Sequence, residues 1–172
     1  MGRSAGVDFR HHGLISRPRV PPTLVLSTPL PMSERNLHEQ VISSWREGWA
    51  GTLAAPALVD LFDRALDALW RRAHRSLGQL TLMAIVDRVL HEGTEKYPHL
   101  AALKIETSGV HFGELRQGAR HLESAHLEAS LVFLVFELLR VLGALTGEVL
   151  TPGLHAELLK VRGRSTEEEG KP

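Results

Sequence analysis

The sequence predicts a mainly α-helical bundle of about five helices around one very apolar helix, with one short β-hairpin. Three observations lead there. Apolar residues recur at three- and four-residue steps over most of residues 33–163. Leu131-Val132-Phe133-Leu134-Val135-Phe136 is apolar on every side of a helix. Between Leu103 and Leu115 the helical period gives way to apolar–polar alternation.

Residues 1–32 read as a disordered tail. Pro18, Pro21, Pro22, Pro29 and Pro31 fix φ and remove backbone donors, and no helical period runs through them. Arg3, Arg10, Arg17 and Arg19 against Asp8 make the tail basic, as an arm for an acidic partner would be. Met32 is an alternative start, because Ser33 after it is a suitable helix cap.

Residues 33–163 read as the helical domain. The first helix carries Leu37, Val41, Ile42, Trp45 and Trp49 and ends at Gly48 and Gly51. Pro56 sits in the first turn of the next, where its missing N–H costs little. Leu58, Leu61, Phe62, Ala65, Leu66, Leu69 and Trp70 form its apolar stripe, with the pairs Asp60/Arg64 and Asp67/Arg71 on the far side. A break at Gly78 precedes a helix with Leu82, Ile85, Val86, Val89 and Leu90, which stops before Pro98. Leu103 to Thr107 and Val110 to Phe112 then alternate about Ser108-Gly109, a hairpin signature. The longest helix is expected from Ala119 to Leu145 and a last one from Thr151-Pro152, with Leu154, Leu158 and Leu159. Residues 164–172, with Glu167, Glu168 and Glu169, read as a disordered acidic tail.

Composition narrows the function. Twenty Lys and Arg balance twenty Asp and Glu, so the formal charge is zero. Nucleic-acid and membrane surfaces usually need a basic excess, and neither partner is expected. The apolar run at 129–136 is bounded by Glu128 and Glu137, well short of the roughly 20 residues of a membrane span. No signal peptide is evident. The chain has no cysteine, which rules out disulfides, thiolate metal sites and a cysteine nucleophile. A cytoplasmic location is the default. Sixteen Arg against four Lys, with abundant Ala and Leu, suggests a bacterial source of high GC content. No G-x-S-x-G, P-loop or dinucleotide fingerprint occurs, so the chain leans away from an enzyme and calls for no cofactor.

Candidate sites follow from the patterns that remain. A helix apolar on all sides is either central core or the contact with a second copy or a helical protein partner. Val132, Phe133, Val135 and Phe136 are therefore the interaction candidates, and a homodimer is expected. Phe133, Phe136 and Trp70 are the alternative lining of a small apolar ligand site, as in a sensor domain. Asp87, His91 and Glu95, at i, i+4 and i+8, share a helical stripe and are the metal candidates among a chain with ten histidines. His121 and His126 are five apart and diverge by about 140° on a helix, so they do not form a pair. Arg71, His74 and Arg75 form the one basic cluster of the domain, a phosphate candidate.

Ala73-His74-Arg75-Ser76-Leu77-Gly78 resembles the phosphoacceptor motif of histidine-phosphotransfer domains, with Gly four residues after the His. The family has Leu and Lys before that Gly, where this chain has Ser76 and Leu77. The resemblance covers six residues and implies a small helical bundle that carries phosphate on His74. The sequence is read as a non-enzymatic regulatory or interaction module, with a ligand sensor or such a signalling domain as the alternatives.

Overall fold

A computed structural model describes residues 32–49 and 51–162. The expectations for the acidic tail and for the basic tail lie outside them, except at Met32, which opens the first helix. Six α-helices and one two-stranded antiparallel sheet are present among the described residues: α1 (Met32–Glu47), α2 (Ala55–Leu77), α3 (Gln79–Lys96), β1 (Lys104–Glu106), β2 (Gly109–His111), α4 (Gly113–Gly118), α5 (Ser124–Thr146) and α6 (Thr151–Lys160). The bundle with a short hairpin is thus the observed class.

α2 follows the expected apolar period throughout. Leu58, Leu61, Phe62, Ala65, Leu66, Leu69 and Trp70 are all buried. Pro56 lies in its first turn. Gly78, at φ 75°, ends α2 and caps α3, a left-handed position where glycine has no side-chain clash. α3 buries the expected Leu82, Ile85, Val86, Val89 and Leu90 and stops at Lys96. Pro98 then opens a 3-10 turn to Ala102.

The hairpin pairs Lys104 with His111, Ile105 with Val110 and Glu106 with Gly109. The turn is therefore Thr107-Ser108, and Gly109 belongs to β2 rather than to the turn. Leu103 and Phe112, which flank the two strands, are buried, as the alternation requires. The buried face of the ribbon lies on α2, with Trp70 against Gly109.

Five expectations are corrected. The helix expected from Ala119 is broken. Ala119–His121 is a 3-10 turn, Leu122 and Glu123 are extended (ψ 142° and 129°), and α5 starts at Ser124. At 23 residues α5 equals α2 in length and is not the longest. In α1 the inward stripe begins at His38, 2% exposed, and Leu37 is turned out at 46%. Asp60 does not hold Arg64 through its carboxylate. Arg64 donates to the Asp60 carbonyl, while Arg116 of α4 takes the carboxylates of Asp60 and Asp63, both at 2.9 Å. Leu159 of α6 is also turned outward.

α5 occupies the centre. α1, α2, α3 and α6 all pack on it. Leu127, Leu131, Leu134, Val135, Leu138, Leu139 and Leu142 face the core. Its acid and base at Glu137 and Arg140 neutralise one another at 2.6 Å. By length and composition alone α5 could cross a membrane, which the short run bounded by Glu128 and Glu137 had argued against. Half of its most apolar stretch is buried inside the bundle.

Candidate functional site

One stripe of α5 is only partly covered by the bundle. Ala129, Val132, Phe133 and Phe136 stand at i, i+3, i+4 and i+7, so they fall on one face. α1 forms one wall with Glu39, Ile42, Ser43 and Arg46, and Lys96 and Tyr97 at the end of α3 form the other. The groove between them holds about 260 Å³. Arg46 is ion-paired to Glu128, which ties α1 to the first turns of α5. The Lys96 ammonium lies 4.5 Å from the centre of the Phe133 ring and 5.3 Å from that of Tyr97, in cation–π range. Neither Glu39 nor Lys96 has an ion pair among the described residues.

Two histidine clusters flank this stripe. His38 Nδ1 and His155 Nε2 are 2.8 Å apart, joining α1 to α6 in the interior. Their rings meet edge to face, and the Phe136 ring lies 6.4 Å from that of His38. One nitrogen of the 2.8 Å pair must donate and the other accept. Burial lowers the affinity of His155 for a second proton, and His38 lowers it further, against a smaller opposing effect of Glu148. Thr151 in turn donates its hydroxyl to Glu148.

The second cluster gathers Tyr97, His99 and His126 near Phe133, with ring centres 5.2 to 6.1 Å apart. His99 Nε2 is 2.7 Å from Ser130 Oγ. The Ser130 hydroxyl proton is already donated to the Leu127 carbonyl at 2.7 Å, so Nε2 carries a hydrogen and donates. Burial, then the charge of His126, lowers the pKa of His99. Ser130 is fully buried and its proton is committed, so this contact is no nucleophile–base pair.

The structure separates some of the residues read from the sequence and joins others. Val132, Phe133 and Phe136 line the groove, each half-buried, whereas Val135 is fully buried on the opposite side of α5. Trp70 is not with them, since it lies under the hairpin. Asp87, His91 and Glu95 are exposed on α3. His91 reaches Glu95 at 3.7 Å, but no three metal-binding side chains converge among the described residues. Arg71 and Arg75 line a cleft that also holds Arg72 and Glu157, while His74 is exposed outside it. His38, His155 and His99 were missed, and His126 was weighed only against His121, because each meets partners from other elements and no local spacing marks them. No family model matches the chain, and no curated protein or solved structure matches it either.

Proposed function

We propose that this chain is a non-enzymatic, cytoplasmic regulatory module that acts by self-association, with the α5 groove as the contact surface. The observation that supports it is the apolar stripe Val132, Phe133 and Phe136, only partly buried and lining a groove beside α1 and the end of α3. The groove is open to solvent and its floor is apolar and aromatic, which suits an inserted side chain of a partner. The occupant is a second copy. A twofold contact requires a self-complementary patch, and here an acid without an ion pair, Glu39, and a base without one, Lys96, stand on opposite walls. In a twofold pair the Glu39 of one copy meets the Lys96 of the other, while the phenylalanine rings meet at the centre.

The test is sedimentation velocity of the wild-type chain beside Phe133→Ser/Phe136→Ser. The expected result is a wild-type dimer and a monomeric variant with unchanged helical circular dichroism. A variant that remains dimeric contradicts the reading, as does a wild type that stays monomeric at every concentration.

A further inference from the structure

The last two turns of α2 carry Ala68, Arg71, Arg72 and Arg75 at i, i+3, i+4 and i+7, one face of the helix. α6 packs against that face and contributes Glu157, and the cleft between them holds about 220 Å³. Three guanidinium groups and one carboxylate leave the cleft with two net positive charges. Arg71 is paired to Asp67 at 2.9 Å on the exposed side, but Arg72 and Arg75 have no ion pair among the described residues. Glu157 is bonded to Lys160 at 2.9 Å and meets Arg72 and Arg75 only through longer-range attraction, not as an ion pair.

Arg72 is held in an unfavourable position. Its Nε is buried and has no hydrogen-bond partner. Its guanidinium lies against Gly153, where an added Cβ would fall 2.6 Å from Nε and 2.7 Å from Nη2. Gly153 is in the first turn of α6, the end of a helix that favours anions and disfavours cations. Gly153 closes off that Nε, so the rest of the guanidinium is what borders the cleft, where Glu157 is the one carboxylate against three arginines.

We infer that the α2–α6 cleft is a binding site for a small phosphate-bearing compound, held by Arg71, Arg72 and Arg75. Forked guanidinium groups match the oxygens of a phosphate, and its double charge balances the cleft where a single carboxylate would not. Arg72 supplies the part of its guanidinium that borders the cleft, held by the packing of Nε on Gly153, and Arg75 supplies an exposed fork without an ion pair. Gly153 leaves the space that keeps Arg72 in place. This site lies on different helix faces from the α5 groove and does not depend on self-association.

Isothermal titration of the full chain with inorganic pyrophosphate, at constant ionic strength, tests it. Saturable one-to-one binding is expected. Gly153→Ala keeps every charge and favours the helix, yet displaces the Arg72 guanidinium, and should weaken binding about tenfold or more. Arg75→Gln should weaken it comparably while circular dichroism stays unchanged. Absence of saturable binding at millimolar pyrophosphate overturns the inference. So does an affinity that Gly153→Ala leaves unchanged, which would mean diffuse attraction to a basic surface.

Discussion

Replacing Phe62 with alanine should loosen α1 from the rest of the bundle, and the structure sets the size of the effect. Phe62 is fully buried. Its ring meets Trp45 at 5.1 Å and Trp49 at 5.7 Å, both edge to face, and the two tryptophans meet each other at 5.0 Å. Trp45 further donates its indole N–H to the Val161 carbonyl at 2.7 Å, so one aromatic cluster joins α1, α2 and the end of α6. Removing a buried phenylalanine costs about 3–5 kcal/mol, which includes two ring contacts of about 0.5–1.5 kcal/mol each. For a chain of this size that corresponds to a fall in Tm of about 6–20 °C. Urea unfolding followed by circular dichroism gives the energy. Tryptophan emission should shift to the red in the native baseline, because two of the three tryptophans border the vacated space. Phe62→Leu, which keeps most of the volume, should lose about 1 kcal/mol. A loss under about 1 kcal/mol for the alanine variant, with emission unchanged, would refute the claim that this cluster docks α1.

Two further perturbations probe the histidine clusters and the hairpin. His99 and His155 have folded pKa values below the ordinary 6.5, so the unfolded chain binds more protons near that pH. Stability from these groups is fully present above 6.5 and is lost as pH falls from there through the folded values. Thermal unfolding should therefore show Tm falling between neutral pH and pH about 5, and His155→Asn should flatten that slope. A Tm independent of pH across the interval would contradict the assignment. Gly109 has φ 136° and sits under Trp70, whose ring atoms lie 3.7 to 3.9 Å from the site of a Cβ. Gly109→Ala should cost about 1–3 kcal/mol from backbone strain, measured by urea unfolding, whereas a cost near zero would mean that β2 relaxes freely.

How much of this was readable in the sequence depends on whether a signal is local. The stripes of α2 and α3 were legible because every buried position repeats at helical steps within one segment. The alternation at Leu103–Phe112 was legible because its signal, too, lies within one short segment. The break before α5 was not. Leu122 and Glu123 are ordinary helix formers, and only their extended backbone in the packed structure separates the 3-10 turn from Ser124. Leu37 fits the α1 stripe by hydropathy, yet His38 takes the inward place because His155, 117 residues away, supplies a polar partner. Arg72 was passed over in favour of His74 for a similar reason. The face that matters on α2 is the one that α6 approaches, and no local pattern names it. The α5 stripe was visible as excess apolarity, but which part stays only partly covered is set by where α1 and α3 end.

Concentration-dependent sedimentation equilibrium of charge-reversed chains tests self-association through the α5 groove most directly. Glu39→Lys and Lys96→Glu should each weaken the wild-type dimer, because each places like charges together across the twofold contact. The double variant, Glu39→Lys with Lys96→Glu, should restore it, since the pair is then opposite again with its partners exchanged. Equal weakening in all three variants, or no change in any of them, would contradict the account.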